Sequence, residues 1–206
     1  MEKIRVILGS SSKWRRELAK KYLGCESDLM AADIDEKKIA REAKPKTIQD
    51  HPLVIAKAKL SHLLGKVNDP KTLILCYDTI VVCNGKILEK PDSEEECISM
   101  IKMWAKKDEI IEVYTAIAIG LTEPRIEKFD VQRADIKMTR DFTDEDVQTY
   151  IQKSNSMCIT SSGAVIVEDL IDMNSAVISS GEMSVIEGLP IEGTKQIINE
   201  ILKQIK

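Results

Sequence analysis

The sequence predicts an α/β fold in which helices cover both faces of a mixed sheet. Of its 206 residues, 43% are hydrophobic and 31% are charged, which excludes a disordered chain and supports one globular domain or two small lobes sharing a core. Apolar runs typical of central strands alternate with segments of helical spacing. Neither an internal repeat nor a linker-like stretch interrupts this order.

The N-terminal third predicts a strand, a hydroxyl-rich turn and two helices. Residues 3–8 form a short apolar run, and Gly9 and three serines follow it. Ser12 as the N-cap and Gly24 after the last turn predict a helix over about 13–23. Residues 53–64 predict a second helix of about 15 residues, with loop and frayed helix between the two.

The middle of the chain predicts a group of central strands. The apolar runs 72–77 and 79–83 are separated by Asp78, and Asn84-Gly85 predicts a hairpin leading into residues 86–88.

The remaining elements are predicted from caps and periodicity. They are a helix over about 93–104 with a Ser93/Glu96 capping box, an antiparallel pair of strands over 110–119 and 126–138, a short helix capped by Thr143, a strand over 164–167, and a final helix opening at Thr194.

Composition predicts a cytoplasmic protein that binds a small ligand. No stretch reaches the roughly 18–20 apolar residues that cross a bilayer, and Met1–Leu8 is too short and charged for a signal peptide. The five cysteines are odd in number and contain no Cys-x-x-Cys pair, which predicts buried free thiols. A net charge of −4 argues against binding to nucleic acid.

Asp78 is the most informative polar residue because it lies inside an apolar run. A carboxylate buried there needs a cation or hydrogen bonds, so a metal ion or a catalytic water would be a suitable partner. The alternative is an acid at a strand break or bulge that faces solvent.

The segment Gly9–Arg16 combines small residues, hydroxyl groups, a helix start and two guanidinium groups. This composition suits a phosphate-binding loop, although the Walker pattern is absent; a capped helix with a basic face remains the alternative. Trp14 could stack on a base or pack in the core. Lys59 and Lys90 are uninformative taken singly, because most lysines are solvated.

Several segments together resemble the Maf family of nucleoside triphosphate pyrophosphatases, the septum-formation-inhibitor-like proteins. The segments are Leu8-Gly-Ser-Ser-Ser-Lys-Trp-Arg-Arg-Glu-Leu18, Asp33-Ile-Asp-Glu36, Ala56-Lys-Ala-Lys59, Asp78-Thr-Ile-Val-Val-Cys-Asn-Gly-Lys-Ile-Leu-Glu-Lys-Pro91, Val113-Tyr-Thr115 and Gly188-Leu-Pro-Ile191. They follow the family's order across nearly the whole chain. Lys13, Ala116 and Asp169 depart from the residues usual in the family.

The resemblance implies one Maf-like domain over residues 1–206, with an elongated Maf/Ham1-like α/β fold, two lobes, a cleft and a homodimer as a candidate assembly. It also implies that water attacks a nucleoside triphosphate between the α and β phosphates with the help of Mg²⁺, or another divalent cation such as Mn²⁺. The implied general base is Asp78, which would hold the metal ion with Glu36.

The resemblance assigns the remaining site residues to the substrate. Arg15, Lys59 and Lys90 would neutralise the triphosphate, and Ser10 and Ser12 would donate hydrogen bonds to it. Substrate binding further includes Trp14, Arg16, Thr79 and Glu168.

Base selectivity is predicted from three of these residues. Trp14 and Glu168 resemble the 7-methyl-GTP branch of the family, whereas Thr79 resembles the dTTP/UTP branch. A cationic methylated guanine stacks on tryptophan and offers N–H donors to a carboxylate, which favours 7-methyl-GTP.

Three alternative functions remain open from the sequence. One is a dTTP/UTP pyrophosphatase of the same family. The second is a nucleotide-binding module without turnover, suggested by Lys13, Ala116 and Asp169. The third is a nucleic-acid-binding protein anchored by Arg15 and Arg16, which the acidic net charge disfavours.

Overall fold

The computed structural model describes residues 4–10, 13–24 and 27–205, without the side chains of residues 13 and 14. The strands are β1 (Arg5–Leu8), β2 (Asp28–Leu29), β3 (Thr72–Cys83), β4 (Lys86–Leu88), β5 (Ile110–Leu121), β6 (Ile126–Met138) and β7 (Ala176–Ser180). The helices are α1 (Lys13–Leu18), α2 (Glu36–Ala43), α3 (Asp50–Leu64), α4 (Glu94–Trp104), α5 (Asp144–Lys153), α6 (Val167–Asp172), α7 (Met183–Ile186) and α8 (Ile191–Lys203). Within these described residues, no helix is both long and apolar enough to cross a membrane.

The strands form one mixed sheet, which confirms the predicted fold class. Their order is β2-β1-β3-β5-β6-β7, and β4 pairs with β3. Strand β1 is parallel to both β2 and β3, whereas β4 is antiparallel to β3 and β7 is antiparallel to β6. The hairpin between β3 and β4 turns at Asn84 and Gly85, which both have the positive φ that this turn requires.

The chain divides into two compact units. The first unit comprises Met1–Thr79, Thr115–Gln132 and Glu187–Lys206, and the second comprises Ile80–Tyr114 and Arg133–Ile186. Strands β3, β5 and β6 therefore each contribute residues to both units. The predicted cleft between two lobes stays a prediction.

In the first unit, alternation along β3 builds two separate apolar clusters. Leu73, Leu75 and Tyr77 join a cluster that includes residues of α1 and α8. Ile74 and Cys76 join a second cluster dominated by α3. Because successive side chains of a strand point to opposite faces, the sheet of this unit is covered on both sides, as the sequence predicts.

The second unit packs around aromatic side chains from α4 and α5. Trp104 and Tyr150 meet edge to face with ring centroids 5.8 Å apart. Their polar atoms bond backbone carbonyls: Trp104 Nε1 donates to the Gly163 oxygen at 2.9 Å and Tyr150 Oη donates to the Ala164 oxygen at 2.8 Å. These two carbonyl groups therefore accept hydrogen bonds from side chains, whereas in a strand they would accept them from the backbone of a neighbouring strand.

That use of the carbonyls explains one wrong prediction. The expected strand over 164–167 is instead a 3₁₀ turn at Ser162–Ala164 followed by α6, and Ala164 has a φ of +58°. A run of apolar residues alone cannot distinguish a buried turn from a strand. The strand of this region is β7, further along the chain.

Three other boundaries differ from the prediction. Helix α2 replaces the expected loop and frayed helix; only Ile39, Ala40 and Ala43 of its eight residues are apolar, and none of the eight is buried. The first helix is α-helical only to Leu18, and a π-helical turn completes it before Gly24, whose φ is +63°. Helix α8 begins at Ile191, before the predicted Thr194.

The cysteines in the described part of the chain follow the prediction. Cys76, Cys83, Cys97 and Cys158 are buried free thiols, and Cys25 lies outside the described residues. Burial raises the pKa of the Cys76 thiol to about 12, so this sulfur is protonated at neutral pH and is a poor nucleophile.

Candidate active site

The centre of the candidate site is a lysine shared by two carboxylates. Lys59 Nζ lies 2.8 Å from Asp78 Oδ1 and 3.0 Å from Glu36 Oε1. Asp78 follows Cys76 by two residues on β3, so its side chain lies on the α3 side of the sheet and meets Lys59 there. Glu36 is the first residue of α2, whose N-cap Asp35 accepts a hydrogen bond from the Lys38 amide at 2.9 Å.

This pairing shows why Asp78 does not interrupt the strand. The alternative of an acid at a strand break that faces solvent is wrong: β3 runs continuously from Thr72 to Cys83, and the Asp78 side chain is only 15% exposed. Burial raises the pKa of Asp78, and Lys59 is the main group opposing that rise; Glu36 adds to the rise, whereas Arg15 opposes it. A carboxyl group whose pKa is raised in this way is suited to accept a proton near neutral pH.

A second group of site residues lies on the α1 and α8 side of the sheet. Arg15 Nη2 lies 3.5 Å from Thr79 Oγ1, and Thr79 Oγ1 lies 2.9 Å from Thr115 Oγ1. Thr79 follows Tyr77 by two residues, so it faces α1 rather than α3. Burial lowers the pKa of Arg15, and Asp78 is the strongest group opposing that change.

Gly188 packs directly against this second group, where there is no room for a side chain. A Cβ at this position would lie 2.9 Å from both Arg15 Nη2 and Thr79 Oγ1, and its φ is +78°. Both the space and the backbone conformation therefore require glycine here. Gly188-Leu-Pro is thus more than a connector between elements.

Residues 9 and 10, which follow β1, lie next to the part of β3 that leads to Asp78. Strand β1 pairs with β3 up to Leu8 and Leu75, and the Gly9 amide donates to the Leu75 carbonyl at 2.8 Å. A side chain at Gly9 would collide with Cys76 and Leu63. Half-buried Ser10 follows at the carboxyl end of β1, and the carboxyl ends of parallel strands are where α/β proteins commonly bind ligands.

The structure brings together five of the residues singled out from the sequence: Glu36, Lys59 and Asp78 in one group, Arg15 and Thr79 in the other. All five belong to the first unit.

The other predicted residues lie elsewhere or outside the description. Arg16 is exposed on α1. Lys90 and Glu168 are exposed residues of the second unit, so their roles stay predictions. Ser12 lies outside the described residues, as does the Trp14 side chain.

Sequence reasoning missed the part that Thr115 plays. It marked Val113-Tyr-Thr115 only as a landmark, whereas the Thr115 side chain is fully buried and bonded to Thr79. The available signal was the alternation on β5, where Thr115 shares its face with Ile117 and Ile119 of the cluster around α1 and α8.

The donor set can be tested against the divalent cation that the resemblance implies. Among the described residues, no group of three or more His, Cys, Asp or Glu side chains could hold a metal ion. Asp78 and Glu36 together supply two hard carboxylates around one ammonium group. This set suits Mg²⁺, which commonly uses one or two carboxylates and takes its remaining ligands from substrate phosphates and water.

Comparison with known proteins agrees with this arrangement of motifs. Residues 5–201 match the family described as Maf-like protein. The chain belongs to the Maf family. The match includes every residue of both site groups, from Arg15 to Gly188.

Relatives in this family carry two different names. The 7-methyl-GTP pyrophosphatase of Dictyostelium discoideum is 30% identical over 202 residues, which are 95% of this chain and 96% of that protein. The dTTP/UTP pyrophosphatase of Pyrococcus furiosus is 31% identical over 193 residues, which are 91% of this chain and 90% of that protein.

A solved structure shows a more distant similarity. The nucleoside-triphosphatase / dITP/XTP pyrophosphatase of Mycobacterium abscessus is 11% identical, with a TM-score of 0.38 over 76% of this chain and 98% of that one.

Proposed function

We propose that this Maf protein is a nucleoside triphosphate pyrophosphatase that cleaves its substrate to a nucleoside monophosphate and pyrophosphate. The observation that carries the proposal is the half-buried Asp78, held 2.8 Å from a lysine that it shares with Glu36. Both relatives described above are named pyrophosphatases, which supports the same reaction.

Asp78 is the general base of the proposed reaction. It takes a proton from a water molecule, the water oxygen bonds to the α-phosphorus, and the bond from that phosphorus to the α–β bridging oxygen breaks. Pyrophosphate leaves with the bridging oxygen. Burial raises the pKa of Asp78 towards the range in which a carboxylate is an effective base at neutral pH.

In the proposed reaction, cationic side chains of the first unit stabilise the negative charge of the triphosphate. Lys59 holds Asp78 in place in the free protein and can contact a phosphate oxygen when the substrate arrives. Arg15 offers a planar guanidinium group that can donate two hydrogen bonds to phosphate oxygens. Stabilising the charge that develops on the leaving pyrophosphate lowers the barrier. Lys90, Ser10, Ser12 and Arg16 are further proposed contacts of the triphosphate.

The proposal includes a divalent cation, Mg²⁺ or Mn²⁺. Glu36 and Asp78 would hold it, and when bound it would supply positive charge to the phosphate oxygens. Fully buried Cys76, Cys83, Cys97 and Cys158 are free thiols, a usage typical of the reducing cytoplasm that we propose for this protein. A homodimer that binds no nucleic acid completes the proposal.

7-Methyl-GTP is the proposed substrate, with dTTP or UTP as the second candidate. Trp14 and Glu168 support the first because a cationic purine stacks on tryptophan and donates to a carboxylate. Thr79 and the name of the Pyrococcus furiosus relative support the second.

Replacing Asp78 with asparagine tests the proposed reaction. Asparagine keeps the shape of the side chain but cannot take the proton, so we expect pyrophosphate release to fall at least 100-fold, on the scale of general-base catalysis. Binding of a triphosphate with a methylene group between the α and β phosphorus atoms should persist. Release is measured with Mg²⁺ across the canonical triphosphates and 7-methyl-GTP. Undiminished turnover would remove Asp78 as the base, and wild-type inactivity across the panel would favour the binding module.

A further inference from the structure

Two threonines, of which Thr115 is buried, connect the site arginine to the interior of the first unit. Arg15 Nη2 lies 3.5 Å from Thr79 Oγ1, and Thr79 Oγ1 lies 2.9 Å from Thr115 Oγ1. Thr115 is fully buried, whereas Arg15 and Thr79 are partly exposed. The series therefore ends at a fully buried hydroxyl group.

The chemistry of the three groups is compatible with donation from Arg15 to Thr79 and from Thr79 to Thr115. A guanidinium group only donates hydrogen bonds, and a threonine hydroxyl has one proton and two lone pairs. When Thr79 donates its proton to Thr115, its lone pairs are available to the Arg15 N–H group. When the Thr79 proton points at Arg15 instead, two donors face each other and the contact is lost.

The backbone around this series is shaped to keep the groups together. Gly188 lies against both Arg15 Nη2 and Thr79 Oγ1, where any Cβ would approach them to 2.9 Å. Thr79 and Thr115 belong to β3 and β5, which are neighbours in the sheet, so their separation is set by strand pairing. Rigid strands position a side chain more accurately than a loop does.

We propose that Thr115 is a positioning residue that acts through Thr79, accepting its proton and so holding Arg15 in the orientation that binds the triphosphate. This inference rests on the proposed function and deepens it. Under it, the Thr79 hydroxyl serves the arginine and does not read the base. Thr115 itself touches no substrate.

The test compares Thr115→Val with Thr115→Ser. Valine keeps the branched shape and removes the acceptor, so we expect kcat/KM for the preferred triphosphate to fall about tenfold, on the scale expected for losing the orientation of one catalytic group. Serine keeps the hydroxyl group and should restore most of the loss. A valine variant at the wild-type value, or a serine variant as impaired as valine, would overturn the proposal.

A double-mutant cycle separates positioning from simple loss of structure. If Thr115 acts only through Arg15, adding Thr115→Val to an Arg15→Gln variant should cause no further loss of kcat/KM. A further tenfold loss in that background would show that Thr115 acts by another route. The ratio of 7-methyl-GTP to dTTP turnover should also be the same in Thr115→Val and wild type, and a changed ratio would show that this pair reads the base.

Two additional measurements apply if Thr115→Val does not fold or if the wild type shows no turnover. If Thr115→Val does not fold, Thr79→Val removes the same hydrogen bond and should give the same loss and the same absence of additivity. If the wild type releases no pyrophosphate, the proposed function fails, and affinity for the methylene triphosphate analogue then tests the positioning. Thr115→Val should weaken that binding about fivefold and serine should restore it; equal affinities would reject the positioning role.

Discussion

Replacing Lys59 with methionine removes the cation shared by the two carboxylates and keeps most of the apolar stem. Charges 2.8 Å apart attract by about 6 kcal/mol at an effective dielectric constant of about 20. Glu36 is 49% exposed, so water screens its share of the attraction. Removing one partner of a buried ion pair typically costs about 3–5 kcal/mol. Because Asp78 is 15% exposed and Arg15 still stabilises its negative charge, we expect a loss of about 2–3 kcal/mol in the free energy of unfolding at pH 8.

The size of that loss should depend on pH. Burial raises the pKa of Asp78 and Lys59 is the main group opposing the rise, so the variant should have a still higher pKa at this carboxyl group. A folded state with a raised carboxyl pKa binds more protons than the unfolded state. Stability is therefore lost as pH rises, and the variant should lie closer to the wild type at pH 5 than at pH 8.

Urea unfolding followed by circular dichroism at both pH values measures this difference. Lys66→Met is the matched control because it removes an exposed lysine just after the same helix. It should change stability by less than about 0.5 kcal/mol. If Lys59→Met were no more destabilised than this control at pH 8, the ion pairs of Lys59 would contribute nothing to the free energy of unfolding. That result would refute the stabilising role assigned to Lys59.

Two further variants test the base-reading residues and the backbone of the site. Trp14→Arg combined with Glu168→Gln should shift turnover from purine towards pyrimidine triphosphates, and an unchanged ranking in a pyrophosphate-release panel would show that neither residue reads the base. Gly188→Ala places a Cβ 2.9 Å from Arg15 and Thr79 at a φ of +78°, so it should lower both the melting temperature and kcat/KM. A fully active variant of unchanged melting temperature would show that the backbone yields there at no cost.

The sequence predicted elements well where burial produces a run of apolar residues or a regular alternation. Helix α3, strands β3, β5 and β6 and the Asn84-Gly85 hairpin all carry such patterns. The predicted cap at Thr143 is also present, with its side chain accepting from the Asp146 amide at 3.1 Å. Helix α2 escaped prediction because it buries no residue, and the turn at Ser162–Ala164 escaped because tryptophan and tyrosine side chains bond its carbonyls.

The types of site residue were predictable, but their pairing was not. An acid within an apolar run indicated a buried charge at Asp78, yet nothing in the order of residues shows that Lys59 would reach both Asp78 and Glu36. The alternation of side chains along β3 explains part of this pairing. Even-numbered residues such as Cys76 and Asp78 face α3, whereas odd-numbered residues such as Tyr77 and Thr79 face α1 and α8. Lys59 is then the partner of Asp78 on the α3 side of the sheet, and Arg15 is the partner of Thr79 on the side of α1 and α8.

This alternation changes the weight of Thr79 as an indicator of substrate. If only the type of residue is considered, Thr79 indicates a pyrimidine nucleotide, whereas Trp14 and Glu168 indicate 7-methyl-GTP. Its hydroxyl oxygen lies 2.9 Å from Thr115 Oγ1 and 3.5 Å from Arg15 Nη2, both within the first unit. A hydroxyl with these two partners has little hydrogen-bonding capacity left for a base. Our proposal therefore leaves the choice of base to Trp14 and Glu168, two residues that we expect to favour a cationic purine.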